Sequence, residues 1–86
     1  MRTHELKSWP EYFTMVMSDL KLFELRKNDR DFRVGDLVVL EEFRPGVGTY
    51  TGRQQEIEIT YIIRDDDMVA VDGLTSGYCI FGFKKV

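Results

Sequence analysis

The sequence is poor in the residues that build disulfides and metal sites. Among its 86 residues it has one cysteine, Cys79, and one histidine, His4. A single cysteine excludes an internal disulfide, and this cysteine usage predicts a cytoplasmic protein. One cysteine and one distant histidine are too few for a structural zinc site, so we expect no bound metal.

Long apolar runs and phosphate-binding motifs are also missing. No run approaches the roughly 20 apolar residues of a membrane span, and residues 1–7 lack the apolar core of a signal peptide, so we expect no membrane association. The sequence contains no dinucleotide-binding fingerprint and no Walker loop. No predicted helix follows the glycines of residues 45–48 to cradle a phosphate. We therefore expect no cofactor.

What the chain does have is the composition of one folded domain. It is 43% hydrophobic and 13% aromatic, which predicts a single domain over residues 1–86. A net charge of −3 disfavours nonspecific binding to nucleic acid, which depends on phosphate neutralisation. Residues 19–36 hold five of the twelve basic residues and an equal number of acidic ones. Any local attraction for an anion is therefore concentrated in this segment.

One short helix is predicted near the N-terminus. Ser8 with Glu11 three residues later has the pattern of a capping box, and Pro10 suits a first helical turn. The helix is expected from Pro10 to Ser18. Its buried stripe should consist of the apolar residues that recur at helical spacing, namely Phe13, Val16, Met17 and Leu20.

The remaining chain predicts short strands joined by polar turns. Residues 44–53 contain three glycines and a proline and are expected to form a mobile surface loop, and Gly82 suggests a bulge or close packing. The predicted fold is α+β and mostly β, a small barrel of five or six strands plugged by the helix. The expected strands are Thr3–Lys7, Leu22–Arg26, Leu37–Phe43, Gln54–Ile63 (with Ile57, Ile59 and Tyr61 on one face), Met68–Val71 and Tyr78–Lys84.

The strand Leu22–Arg26 carries the most distinctive pattern of charge. Alternation puts Phe23 and Leu25 on one face and Glu24 and Arg26 on the other. Two interpretations are open. The charged face is either a solvent-exposed ion pair or the floor of a polar cleft. In a cleft, Glu24 would accept hydrogen bonds from a ligand, Arg26 would donate to a phosphate or carbonyl, and Lys21 could act as base or nucleophile.

Other candidate residues have a structural alternative beside the functional one. Trp9, Tyr12, Tyr50 and Tyr78 could stack on a base or simply pack. His4 is predicted to be a surface or packing histidine rather than a general base, and Cys79 a buried core residue. The three aspartates of residues 65–67 lack the spacing of a calcium loop and predict a solvated hairpin turn.

Lys21, Glu24 and Arg26 match the K-x-x-E-x-R core of the G-x-K-x-x-E-x-R motif of ASCH domains, which are small β-barrels related to the PUA fold. The similarity extends to residues 4–10, 26–36 and 50–53, where the chain resembles a short subfamily of uncharacterised bacterial and phage proteins labelled activating signal cointegrator-like. Asp19 stands where the motif has glycine, and it would place a negative charge near Lys21.

The resemblance implies a noncatalytic module that binds RNA or a nucleotide in a cleft beside the helix. Lys21, Glu24 and Arg26 would form the floor of this cleft. The other expected ligand-binding residues are Trp9, Tyr12, Arg30, Arg33 and Arg53, of which the three arginines would contact phosphate.

Two further functions are kept as alternatives. Some small bacterial ASCH proteins resemble amidohydrolases of acylated cytidine, with a catalytic lysine, a threonine three positions later and a distal glutamate. The chain has Glu24 at the threonine position and no glutamate after Gly77. The third alternative is a protein-interaction module that uses the loop 44–53 and the adjoining strand edge. The sequence predicts no particular oligomeric state.

Overall fold

Five strands and one helix make up the part of the chain that the computed structural model describes, residues 1–67 and 73–86. The predicted strand Met68–Val71 lies outside these residues. The eight-residue helix is too short to cross a membrane. In chain order the elements are β1 (Thr3–Ser8), α1 (Pro10–Met17), β2 (Phe23–Lys27), β3 (Leu37–Arg44), β4 (Thr49–Arg64) and β5 (Tyr78–Lys85).

The strands form one curled sheet in the order β1-β3-β4-β5-β2. β1 runs parallel to β3, and the other neighbours are antiparallel. The predicted small, mostly β domain with one short helix is confirmed. The predicted closed barrel is corrected to a half-barrel, because β1 and β2 are the two edges of the sheet and no backbone ladder joins them in the described chain.

The core lies on the concave face of the sheet and is covered by α1. On β1, which the sequence predicts as a strand from Thr3 to Lys7, alternation turns His4, Leu6 and Ser8 inward. The central strands β3, β4 and β5 supply most of the apolar side chains, and Cys79 is buried among them, also as predicted. Burial raises the pKa of the Cys79 thiol. The core consists of Leu6, Phe13, Val16, Phe32, Val38, Leu40, Ile57, Ile59, Ile62, Cys79, Phe81 and Phe83.

The helix ends earlier than its apolar pattern predicts. Phe13 and Val16 are buried, but Met17 is partly exposed and Leu20 is 74% exposed. Asp19 adopts a left-handed conformation with φ of 61°, which stops the helix and turns Leu20 outward. The predicted capping box is also wrong: the N-cap is Trp9, without a side-chain cap, because Ser8 is the last residue of β1.

The segment expected to be a mobile loop is mostly strand. The turn after β3 is closed by hydrogen bonds from the N–H groups of Val47 and Gly48 to the carbonyl of Arg44, and β4 begins at Thr49. Cross-strand pairs of β3 with β4, Arg44 with Thr49 and Phe43 with Tyr50, therefore reach into the segment. Further along β4, the register with β5 shifts between Ile59 and Tyr61.

This register shift changes which side chains of β4 face the core. Ile62 is buried, whereas Tyr61, predicted to share a face with Ile57 and Ile59, is 64% exposed. Gly82 lies opposite Tyr61 at the shift, in agreement with the bulge that the glycine suggests. The predicted aspartate turn is present after β4, where Asp67 accepts a hydrogen bond from the N–H of Arg64 at 2.7 Å.

A buried histidine–carboxylate pair holds the N-terminal strand to the turn before β3. His4 Nε2 donates to Asp36 Oδ2 at 2.8 Å, and its ring meets Phe32 edge-on with centroids 4.8 Å apart. Asp36 also accepts hydrogen bonds from the backbone N–H groups of Arg2 and Arg33 at 3.2 and 3.1 Å. His4 is therefore a packing residue.

We expect Asp36→Ala to lower the free energy of unfolding by about 2–4 kcal/mol, because it leaves several buried donors unpaired. Urea denaturation measures this change. The matched control is Asp31→Asn, which removes the charge of an exposed carboxylate paired only at the surface with Arg33, keeps a residue type that tolerates the left-handed φ of 50° at this position, and should leave the midpoint unchanged. Equal effects of the two substitutions would contradict the role given to Asp36.

The stability that Asp36 contributes should disappear in acid. Burial alone raises the pKa of Asp36, but hydrogen bonds from His4 and from the backbone of Arg2 and Arg33 outweigh it and hold this pKa below its ordinary value of 3.8. A carboxyl group whose pKa is lower in the folded protein than in the unfolded chain stabilises the fold at pH values above the unfolded pKa. This stability is lost as the pH falls through the folded-state pKa. The stability difference between wild type and Asp36→Ala should therefore shrink below pH 3.8, as measured by urea denaturation across pH. A constant difference would contradict this.

Candidate functional site

The two free edges of the half-barrel face each other across a cavity of about 510 Å³, here called the edge cavity. One wall comes from the end of β1 and from α1, and the other from β2 and the residues before it. Because β1 and β2 are edge strands, this space is not filled by a backbone ladder. The cavity is lined by Lys7, Ser8, Trp9, Tyr12, Lys21, Phe23, Glu24, Leu25 and Arg26.

The charged face of β2 points into the cavity and its apolar face points out. Glu24 is only 5% exposed, whereas Phe23 and Leu25 are 53% and 56% exposed. Lys21 Nζ lies 2.9 Å from Glu24 Oε1, and Arg26 Nε donates to Glu24 Oε2 at 3.1 Å. The interpretation of this face as a solvent-exposed ion pair is therefore wrong, since the carboxylate is buried between two cations.

Two buried polar atoms in the edge cavity lack a hydrogen-bond partner. These atoms are Ser8 Oγ and Glu24 Oε1, and among the described residues they are the two buried side-chain oxygen or nitrogen atoms without a hydrogen bond. The Lys21 ammonium forms an ion pair with Glu24 Oε1, but it donates its hydrogen bond to the carbonyl of Phe23 at 2.8 Å. An unpaired buried polar atom costs about 1–3 kcal/mol. Ser8 Oγ therefore has no partner inside the protein, whereas Glu24 Oε1 is neutralised by the Lys21 ammonium without a directed hydrogen bond.

Arginine side chains bridge the two sheet edges. The carbonyl of Arg2 accepts a hydrogen bond from the N–H of Leu37 on β3. Successive carbonyls of a strand point to opposite sides, so those of Glu5 and Lys7, an odd number of residues after Arg2, face away from β3 toward the gap. Arg26 Nη2 donates to the carbonyl of Lys7 at 2.7 Å, and Arg30 donates to that of Glu5. Side chains of β2 and the following loop therefore hold β1 in place of backbone pairing.

Aromatic rings border the cavity beside these charges. Trp9 and Tyr12 are stacked, with centroids 6.2 Å apart and planes inclined by 24°, and each is about half exposed. Lys21 Nζ lies 5.9 Å from the ring centroid of Tyr12 and 5.4 Å from that of Phe23. The cavity thus combines a buried carboxylate and hydroxyl with cations and accessible ring faces.

A second cavity of about 630 Å³, the side cavity, adjoins the first and shares Lys7 and Arg26 with it. Arg30 and Tyr50 also line it, together with two carboxylates of neighbouring strands, Glu5 and Glu41. A hydrogen bond with the Glu5 carboxyl raises the pKa of Glu41. The side cavity therefore carries both basic and acidic side chains.

The other predicted site residues lie apart from the edge cavity. Arg33 pairs with Asp31 at 2.8 Å on the surface. Arg53 lies over the ring of Phe13, 3.8 Å from the buried Glu42, and lines neither cavity. Of the eight expected ligand-binding residues, five line the edge cavity (Trp9, Tyr12, Lys21, Glu24 and Arg26), and Arg30 lines the side cavity.

Asp19 does not contact Lys21 as the motif position suggested. It pairs instead with Lys85, at 3.0 Å, and its φ of 61° is one that glycine adopts most easily. The turn at residue 19 therefore has a backbone requirement that glycine would meet without strain and that aspartate tolerates.

Sequence reasoning missed Ser8 as a site residue because the capping-box pattern assigned its hydroxyl to the helix. The strand alternation of His4, Leu6 and Ser8 contains the correct information, since it turns all three side chains inward. Ser8 lies at the open end of β1, where the apolar core stops and the edge cavity begins.

Comparison with known proteins identifies a family and a fold. The sequence model described as "Domain of unknown function (DUF3850)" matches residues 3–83. The chain is 41% identical over 59 residues to an "Uncharacterized 12.9 kDa protein in GpA 3'region" of Escherichia phage P2. The match covers 69% of this chain and 52% of the phage protein, so the chain spans about half the length of that relative.

A solved structure supports the fold independently of sequence. The crystal structure of hypothetical protein PH0355 superposes with a TM-score of 0.63 over 98% of this chain and 99% of its own. The two sequences are 14% identical, so the likeness concerns the fold alone.

We expect Arg26→Ala to lower the free energy of unfolding by about 1–3 kcal/mol, because it removes the bridge to β1 and one partner of a buried carboxylate. Amides of β1 should also exchange faster with solvent, as followed by hydrogen–deuterium exchange. Arg44→Ala, at the exposed end of β3, is the control and should change neither quantity. Unchanged exchange of β1 in Arg26→Ala would show that the bridge does not hold the strand.

Proposed function

The chain belongs to the DUF3850 family, and we propose that it binds a nucleotide or an unpaired base of RNA in the edge cavity without catalysing a reaction. We further propose that it is an ASCH-type domain with a PUA-like fold. The resemblance of Lys21, Glu24 and Arg26 to the ASCH motif supports this proposal, together with the inward position of these three side chains.

The observation that carries the proposal is the pair of buried atoms without a hydrogen bond, Ser8 Oγ, which has no partner, and Glu24 Oε1, which has only the Lys21 ammonium beside it. A carboxylate oxygen can only accept, so the ligand must present an N–H or O–H group to Glu24. A hydroxyl both donates and accepts, so Ser8 suits a neighbouring group of either kind. The edge of a nucleobase carries adjacent donors and acceptors in one plane and fits this pair of partners.

The aromatic border and the local charge favour the same ligand class. Trp9 and Tyr12 present accessible ring faces, and stacking of a base on such a ring contributes about 1–3 kcal/mol. Lys7, Lys21 and Arg26 exceed the charge of Glu24 by two units, so the lining of the cavity is positive in a chain of net charge −3. In this proposal the base binds in the edge cavity, and the phosphate attached to it extends into the side cavity, near Arg30.

A binding function accounts for the cavity better than the hydrolase alternative. Among the described lining residues Glu24 is the one carboxylate, and both of its oxygens already have a cation nearby. Lys21 contacts that carboxylate and a backbone carbonyl. No second carboxylate of the lining is free to act as the distal acid or base that the hydrolase resemblance requires.

The sharpest test is Ser8→Ala, because stability and affinity should respond differently. The Ser8 hydroxyl has no partner inside the protein, so its removal should leave the free energy of unfolding unchanged or slightly raised. Affinity for the ligand should fall about five- to tenfold, the value of one lost hydrogen bond. Calorimetric titration with nucleosides, nucleoside monophosphates and short single-stranded RNAs measures this change.

Ser76→Ala, in an exposed turn, is the matched control and should alter neither quantity. If phosphate contributes, affinity should also fall as salt is raised. Equal binding by wild type and Ser8→Ala, or no binding of any of these probes by wild type, would reject the proposal. Release of free cytidine from acylated cytidine by wild type, abolished in Lys21→Ala, would establish the hydrolase instead.

A further inference from the structure

The outer face of β2, β5 and β4 carries an exposed apolar surface, which meets the edge cavity only at Phe23 and Leu25 on the edge strand β2. Cross-strand register places side chains of the three strands side by side on the convex face of the sheet. This surface, here called the outer patch, consists of two adjacent rows, Phe23–Gly82–Tyr61 and Leu25–Ile80–Ile63.

Gly82 makes a notch in the middle of the first row. Gly82 itself contributes no side chain between Phe23 and Tyr61, whose Cα atoms two strand spacings place about 9–10 Å apart, and the Thr60 hydroxyl borders the notch. A Cβ at Gly82 would lie 3.7 Å from Thr60 Oγ1 and 3.9 Å from the carbonyl of Leu22, which is ordinary contact. The φ of Gly82 does not lie in the left-handed region. The fold therefore does not itself require glycine here.

The exposed area is large for a chain of this size. Phe23, Leu25 and Tyr61 are each more than half exposed, and Tyr78 at the end of the next row is 36% exposed. With about 150–250 Å² for each aromatic side chain, these residues expose on the order of 400 Å² of mostly apolar surface. A contiguous patch of this size commonly marks an interaction site. It is about half of the roughly 800 Å² that one partner contributes to a standard protein interface.

The flanking charges fit an apolar protein surface better than a polyanion. Lys27 borders one end of the outer patch, and at the other end Lys84 of β5 lies opposite Glu58 of β4. A nucleic acid or an anionic membrane needs a cluster of basic residues beside the apolar surface, which one lysine and one balanced pair do not provide.

We propose that the outer patch is the contact between two copies of this chain in a symmetric dimer, with an aromatic ring of each copy seated in the notch over Gly82 of the other. A twofold interface must be self-complementary. The patch meets this requirement because it carries both projecting rings and, at Gly82, a position in the same row without a side chain. Two sheets stacked face to face, about 10 Å apart, bury such rows efficiently.

Sedimentation equilibrium of the full chain over a dilution series tests the dimer. Wild type should be dimeric at high concentration. Tyr61→Ser should raise the dimer dissociation constant at least tenfold, about 1.4 kcal/mol. Gly82→Ala fills the notch and should raise the constant too, while its thermal midpoint stays the same or rises, because the added methyl group restricts the unfolded chain.

Val47→Ser is the matched control, since Val47 is also apolar and is 71% exposed, but in the β3–β4 turn away from the patch. It should leave the dissociation constant unchanged. A monomeric wild type throughout the series overturns the proposal. So does a dimer that tolerates both Tyr61→Ser and Gly82→Ala, because its interface then lies elsewhere. Single-stranded RNA or anionic vesicles bound by a monomeric wild type and lost in Tyr61→Ser would assign the patch to those partners.

Discussion

The burial of the Glu24 carboxylate is the constraint on which the edge cavity depends. Taking a carboxylate out of water costs several kcal/mol, so a side chain that is only 5% exposed needs cations beside it. Lys21 and Arg26 supply them, and Arg26 has a further N–H group that reaches the carbonyl of Lys7 on β1. One buried charge therefore fixes the position of β2 relative to β1 without a backbone ladder between the strands.

Bridging by side chains is also what keeps the space between the edges open. Direct pairing of β1 with β2 would satisfy the edge carbonyls but would close the gap that forms the cavity. Arg26 and Arg30 satisfy the carbonyls of Lys7 and Glu5 from within the gap and leave two buried oxygens, Ser8 Oγ and Glu24 Oε1, without a hydrogen bond. The protein thus retains a local free-energy cost at one place, and in the proposed complex the ligand removes it by supplying the missing partners.

The parts of the fold that sequence predicts are those set by one local pattern. β1 alternates, although weakly, and β3 is a β-branched run, so both are recognised, whereas Leu20 fits the helical period but follows a left-handed residue that ends the helix. Ser8 belongs to two local patterns at once, and only the tertiary structure decides between them. The separation of Arg33 and Arg53 from the cavity depends on long-range packing, which charge counts along the chain do not contain.

β2 shows the limit of periodicity most directly. A period of two separates Phe23 and Leu25 from Glu24 and Arg26 but does not say which pair faces inward, and hydrophobicity alone favours the apolar pair. Pairing with β5 sets the opposite choice, because Glu24 lies beside the buried Phe81 and Arg26 beside the buried Cys79. A slip of one residue would bury the apolar pair but would expose Glu24 and break the bridge to β1.

An inverted strand of this kind leaves polar groups unpaired inside and apolar groups uncovered outside. The two proposed partners, a ligand in the edge cavity and a second copy on the outer patch, would each satisfy one face of it.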